Sequence, residues 1–219
     1  MNHRQPIGVI FDMDGVLVDS AQPHLDSWQL LAKENDRTIT REQFAATFGR
    51  QNNDIIPLLF GDMDARRCAA LADRKEKIYR DLVRQAPPVV SGAIELIHAL
   101  HERGVCLAVG SSGPRQNIEL MLDAMGVRAL IPVVITGDDV SRGKPDPEVF
   151  ALACQGLGVE AVRCVVVEDA PAGIEAAMAA GTRTIAILMH HPAESFQNAD
   201  CIVDRLSDLT PEKIESLVG

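Results

Sequence analysis

Short apolar runs rich in β-branched residues recur along the chain, and most are separated by stretches whose apolar residues fall three and four apart. The runs 7–11, 105–109, 132–136 and 163–167 are apolar almost throughout, without alternation. That pattern predicts parallel strands buried on both faces. Residues 184–188 and 201–203 extend the series. Between the runs, Ala93, Ile94, Leu96, Ile97 and Leu100 share a helical face, and Gly104 can stop that helix. Ile118, Leu122 and Met125 precede Gly126; Phe150, Leu152, Ala153 and Leu157 precede Gly158; Ile174, Ala177, Met178 and Ala180 precede Gly181. Strand, helix and glycine stop thus alternate from Val105 onward, which predicts an α/β fold with a doubly wound, Rossmann-like parallel sheet.

The stretch after the first run breaks this rhythm. Leu25, Trp28, Leu31 and Ala32 have helical spacing, as do Phe44 with Phe48 and the region 65–82, and the stretch ends at Pro87 and Pro88. Proline cannot continue a helix. The expected organisation is a catalytic core of residues 1–19 and 89–219 with a helical cap inserted at 20–88.

Length and composition narrow the function. The 219 residues, 47% of them hydrophobic, are enough for a substantial core without covalent staples. A formal net charge of −10 disfavours a nucleic-acid partner, since phosphate backbones reward basic faces. No apolar stretch has membrane-spanning length, and the N-terminal run, broken by Asp12 and Asp14, does not read as a signal peptide. The 5 cysteines show no CxxC spacing; Cys106, Cys164 and Cys201 read as small buried hydrophobes, and the expected compartment is the cytoplasm.

In an open α/β sheet, ligands bind beyond the carboxyl ends of the strands. The first run is followed by Asp12 and Asp14, and the second by Gly110, Ser111, Ser112 and Gly113. The third leads to Asp138 and Asp139, then Lys144, and the fourth to Glu168 and Asp169. Carboxylates gathered on one edge repel one another unless a cation neutralises them. An all-oxygen site shared with phosphate suits Mg2+. The hydroxyls and N–H groups of the Ser111–Ser112 turn suit a phosphoryl group, and Lys144 supplies positive charge. Each feature alone has an ordinary explanation as a turn, a helix cap or a solvated lysine. Their succession at four strand ends points to chemistry.

With these motifs in this order, the sequence resembles the haloacid dehalogenase superfamily of phosphotransferases. The signatures are Asp12-Met13-Asp14-Gly15-Val16-Leu17-Val18-Asp19-Ser20, the serine of Val109-Gly110-Ser111-Ser112, Lys144 before Pro145, and Glu168-Asp169-Ala170-Pro171-Ala172-Gly173-Ile174. The helical insert resembles the cap of the branch that contains β-phosphoglucomutase and small sugar-phosphate phosphatases. The resemblance implies that Asp12 is the nucleophile and Asp14 the general acid and base. It implies Mg2+ held by the Asp12 carboxylate, the Asp14 backbone carbonyl and Asp169, with Glu168 assisting. It implies that Ser111 binds the transferring group and that Lys144 steadies Asp12. The activity implied is hydrolysis of a small phosphorylated metabolite, a sugar phosphate, with hexose-phosphate mutase as the alternative; a cap that must open and close makes a monomer the default expectation. A dehalogenase needs neither Asp14 nor Asp169, and a non-catalytic phosphate-sensing receiver module would lack the Asp-x-Asp pair and the insert.

In the cap, His24 and Trp28 are one helical turn apart and match a histidine and a tryptophan of the mutase. His24 reads either as an aid to Asp14 and cap closure or as a hydrogen-bonded hinge residue, and Trp28 as cap packing. Lys75 falls where the mutase has a phosphate-contacting lysine, though the run Arg74-Lys75-Glu76-Lys77 also reads as a solvated face. Asn52 falls where the mutase has an arginine that contacts the second phosphate, and Arg50 is displaced from that place. This departure favours the phosphatase. His190 and His191 read as loop.

Overall fold

The computed structural model describes residues 5–47 and 52–219, so Phe48 and Arg50 lie outside the described residues. Among these, β1 (Gly8–Phe11), β2 (Cys106–Gly110), β3 (Val133–Ile135), β4 (Cys164–Glu168), β5 (Arg183–Ile187) and β6 (Cys201–Val203) form one sheet. The order is β3-β2-β1-β4-β5-β6, with every pairing parallel. The apolar runs become strands because both faces are covered: all of β1 and β4 is buried. β-Branched side chains pack well on such a pleated surface. The chain runs outward from β1 through β2 and β3, then crosses to β4 on the other side of β1. The crevice beyond β1 and β4 is therefore the switch point, where open sheets bind ligands. Register puts Phe11 opposite both Val109 and Val167, so the residues that follow these strands emerge at one level.

The chain divides into two compact units, Met1–Asp19 with Pro88–Gly219, and Ser20–Pro87. The helical unit holds α1 (Ala21–Glu34), α2 (Arg41–Ala45), α3 (Asn52–Phe60) and α4 (Ala65–Gln85). Its own core gathers Leu25, Trp28, Leu31, Phe44, Ile56, Phe60 and Ile78, so Trp28 is a packing residue of this unit. α3 has no counterpart in the helical pattern read from the sequence. Pro57 sits inside it, removing one helical N–H, and so masks a helix whose other residues bury Ile55, Ile56 and Phe60. Asn52 accordingly opens a helix and does not sit in a loop.

Helices α5 (Ala93–Glu102), α6 (Arg115–Ala124), α7 (Glu148–Leu157), α8 (Pro171–Ala179) and α9 (Pro211–Glu215) belong with the sheet. α7 lies along β1, β2 and β3, and α8 along β4 and β5. One buried cluster joins Phe150 and Ala153 of α7, Ile10, Ala108 and Val166 of the strands, and Ala177 of α8. Gly158 closes α7 in the left-handed conformation at φ 66°, a shape glycine adopts without steric cost. The exit and return of the chain at the helical unit run side by side. Val18 and Val89 form an antiparallel bridge, the Asp19 N–H donates to the Pro88 carbonyl at 2.8 Å, and the Val90 N–H donates to the Leu17 carbonyl at 3.0 Å. Of the cysteines read as buried, Cys164 is enclosed whereas Cys106 and Cys201 are half-buried. Among the described residues, no helix is long and apolar enough to cross a membrane.

Candidate active site

Asp12 directly follows β1 and is 6% exposed. Its N–H donates to the Val167 carbonyl at 2.9 Å, which extends the β1–β4 ladder by one bond and fixes the backbone from which the carboxylate projects. Lys144 spans the crevice. Its Nζ donates to Asp12 Oδ1 at 2.6 Å, to Glu168 Oε1 at 2.7 Å and to the Gly110 carbonyl at 3.2 Å. The ammonium thus ties together the ends of β1, β2 and β4. It also stands 4.7 Å from the centroid of the Phe150 ring, which adds a cation–π contact on its apolar side. Glu168 is the last residue of β4 and does not lie beyond the strand; its Oε2 accepts the N–H groups of Asp169 and Ala170, each at 2.7 Å.

Two glycines make room for these acids. A Cβ on Gly15 would stand 1.9 Å from Asp169 Oδ2, and Gly15 also has φ +82°. A Cβ on Gly173, in the first turn of α8, would stand 1.8 Å from Glu168 Oε1. The motif glycines are therefore where the carboxylates sit against bare backbone. Ser111 is 1% exposed, and its Oγ accepts the Gly113 N–H at 3.0 Å. The position a Cβ would take on Gly113 lies 3.4 Å from Ser111 Oγ and 3.6 Å from Asp14 Oδ2, so hydroxyl and carboxylate border the same turn. Ser112 is exposed on that turn.

Asp12, Glu168 and Asp169 each offer an oxygen, and the three oxygens lie within 4.8 Å of one another. Burial raises the Asp12 carboxyl to about 7 against the pull of Lys144, with Glu168 and Asp14 adding to the rise. Burial likewise raises Asp169 to about 8, helped by the charges of Asp12, Glu168 and Asp14. Burial alone would lower Lys144, but the Asp12 and Glu168 carboxylates outweigh it and hold the ammonium above the usual lysine range. Three buried carboxylates facing one lysine leave an excess of negative charge. An all-oxygen set of this kind fits a hard divalent cation. Asp14 is not a member of this carboxylate cluster.

The other two acids noted at the strand ends do something else. Asp139 accepts the Thr136 N–H at 2.8 Å, the Thr136 hydroxyl at 2.7 Å and Arg115 Nη2 at 2.6 Å. Asp138 accepts the Arg115 N–H at 2.9 Å. Neither belongs to the Asp12, Glu168 and Asp169 cluster.

In the helical unit, His24, Asn52 and Lys75 meet through a residue that sequence reasoning passed over. Lys75 Nζ is 2.8 Å from His24 Nδ1 and donates to Glu76 Oε1 at 2.8 Å, and Asn52 Nδ2 donates to the same Glu76 oxygen at 2.7 Å. Lys75 is 2% exposed and lies 5.4 Å from the ring centroids of both Trp28 and Tyr79, so it is no part of a solvated face. His24 stacks on Tyr79 with centroids 4.2 Å apart. The spacing of Glu76 from Tyr79 and Val83 was the available signal: it shares their buried helix face. His190 is a loop residue near Asp19, 3.9 Å from its carboxylate.

The family model described as haloacid dehalogenase-like hydrolase matches residues 9–187. The chain is 36% identical over 205 residues to the validoxylamine A 7'-phosphate phosphatase of Streptomyces hygroscopicus subsp. limoneus, covering 91% of this chain and 94% of that protein. It is 28% identical to the β-phosphoglucomutase of Bacillus subtilis, covering 93% and 92%. The crystal structure of a family IA, variant 3 hydrolase from Entamoeba histolytica has the same fold, with a TM-score of 0.88 at 23% identity over 97% of this chain and 99% of that one. The chain belongs to the haloacid dehalogenase-like hydrolase family, and its relatives include enzymes named as phosphatases.

Proposed function

We propose that this protein is a magnesium-dependent phosphatase that hydrolyses a small phosphorylated metabolite, a sugar phosphate or a close analogue, through a phosphoryl group carried on Asp12. The observation that carries this reading is the Lys144 bridge. A lysine held at 2.6 Å from Asp12 and 2.7 Å from Glu168 favours the Asp12 carboxylate at the switch point of the sheet, against the burial that raises it.

In the first half-reaction, a carboxylate oxygen of Asp12 bonds to phosphorus as the bond from phosphorus to the substrate oxygen breaks. Asp14 gives that leaving oxygen its proton. In the second, Asp14 takes a proton from the attacking water, and the acyl phosphate is hydrolysed to free phosphate and the Asp12 carboxylate. Ser111 and the exposed Ser112 hold the phosphoryl oxygens, and Lys144 fixes Asp12 and offsets the charge that gathers there. The Asp12, Glu168 and Asp169 carboxylates and the Asp14 backbone carbonyl would hold Mg2+, which when bound reduces the repulsion between anionic nucleophile and anionic substrate. We assign substrate choice to the helical unit, in which His24, Asn52 and Lys75 are joined in one hydrogen-bonded group with Glu76. Asn52 is committed to Glu76, which disfavours the second-phosphate contact of a mutase.

The test is release of inorganic phosphate from a panel of sugar phosphates that includes validoxylamine A 7'-phosphate, with Mg2+ present. Asp12→Asn should abolish turnover while leaving the melting temperature near that of the parent. Turnover that survives this change would refute the covalent route. Isomerised phosphosugar without phosphate release, dependent on a bisphosphate primer, would establish the mutase instead.

A further inference from the structure

The turn that carries Ser111 is held from outside by the next strand's loop. The Ser111 N–H donates to the Ile135 carbonyl at 3.0 Å, and the Gly137 N–H donates to the Gly113 carbonyl at 3.1 Å. The approach is close: a Cβ on Gly137 would stand 2.4 Å from the Ser112 carbonyl oxygen. Immediately after the turn, α6 begins with Pro114 at its N-cap, a residue with no side-chain acceptor for the helix's first N–H groups. Asp138 fills that role from β3's loop by accepting the Arg115 N–H. The Arg115 side chain reaches back, with Nη2 donating to Asp139 Oδ2 and, at 3.2 Å, to the Val134 carbonyl. Both ends of the turn are therefore pinned by residues outside the Asp12, Glu168 and Asp169 cluster.

We propose that Asp138 and Asp139, acting through Arg115, are positioning residues that hold the Ser111–Ser112–Gly113 turn in its phosphoryl-binding shape before substrate arrives. This rests on the phosphatase reading above. The leading N–H of α6 is already taken by Asp138, so it is not offered to the phosphoryl group, whose oxygens are directed to the serine side of the turn. Preorganised donors avoid reorganisation during the reaction, and small displacements of such groups cost one to two orders of magnitude in rate.

The experiment measures kcat and KM on the best monoester substrate, with inhibition by orthovanadate, well below the melting temperature. Asp138→Ala should lower kcat/KM by about ten- to hundredfold and weaken vanadate inhibition by a similar factor. Asp138→Asn, which keeps an acceptor for the Arg115 N–H, should restore both to within about threefold. Arg115→Lys, which keeps the main-chain N–H that Asp138 accepts but loses the planar fork that joins Asp139 to the Val134 carbonyl, should by itself lower kcat/KM and vanadate inhibition by about tenfold. Parent-like kcat/KM and vanadate inhibition in folded Asp138→Ala or Arg115→Lys, whatever the change in melting temperature, overturns the proposal. If the parent itself releases no phosphate from any monoester, the reading beneath it fails instead.

Discussion

Gly173→Ala sets two elementary expectations against each other. Gly173 stands in the first turn of α8, and alanine is the better helix former there by about 0.5–1 kcal/mol. Helix propensity alone therefore calls for a more stable protein. The site calls for the opposite, because the new methyl would stand 1.8 Å from Glu168 Oε1 and 2.0 Å from Cδ. Glu168 is flexible enough to move, but moving gives up its contact with Lys144 and its two backbone N–H bonds at 2.7 Å. Hydrogen bonds to a charged group are worth about 1.5–3 kcal/mol each, and disrupting a buried pair costs about 3–5 kcal/mol. The net expectation is a loss of about 2–4 kcal/mol. For a chain of this size that is a fall of roughly 5–15 °C in melting temperature. Displacing one of the three clustered carboxylates should also raise the Mg2+ concentration for half-maximal phosphate release by at least about tenfold. Scanning fluorimetry and a Mg2+ titration of activity measure both. A variant as stable as the parent with unchanged Mg2+ dependence would refute the reasoning.

Two further outcomes follow from the buried charges. In the metal-free protein, Asp12 at about 7 and Asp169 at about 8 bind protons that the unfolded chain releases near 3.8. The stability these groups contribute is thus full below that value and is lost as pH rises through 7 and 8. With chelator present the melting temperature should fall from about pH 5 to about pH 8.5, and the gain on adding Mg2+ should grow over the same range, because the ion replaces protons; a gain that shrinks with pH would contradict the assignment. In the helical unit, Glu76→Ala removes the acceptor shared by Lys75 and Asn52 and takes the carboxylate from beside a buried ammonium, for an expected loss of about 3–5 kcal/mol in urea denaturation. A loss under about 1 kcal/mol would show that the Lys75 charge is stabilised by other means.

The strands were legible because each is a local run whose burial on both faces erases alternation. The acids, serines and lysine that follow them were legible because strand ends are where an open sheet gathers its ligands. What could not be read depended on partners distant in sequence. Asp138 and Asp139 looked like two more carboxylates for a cation, and only the fold brings Arg115 to them. Glu76 and Lys75 looked like a solvated charge run, because burying an ion pair needs rings that stand far away along the chain, Trp28 among them. α3 was hidden for a local reason: a proline in a helix interior argues against the helix, and here the burial of Ile55, Ile56 and Phe60 prevails.

The antiparallel stitch of Val18 with Val89 bears on how such a chain can vary over generations. Because Asp19 and Pro88 are joined by a backbone hydrogen bond, the 20–87 segment leaves and re-enters the sheet unit at a single doorway. Backbone bonds at that doorway ask little of side-chain identity. Insertions, deletions or wholesale exchange of the intervening helices need preserve only two neighbouring ends. The sheet, with Asp12 in place, can be inherited as a fixed part while the inserted helices drift, lengthen or are replaced.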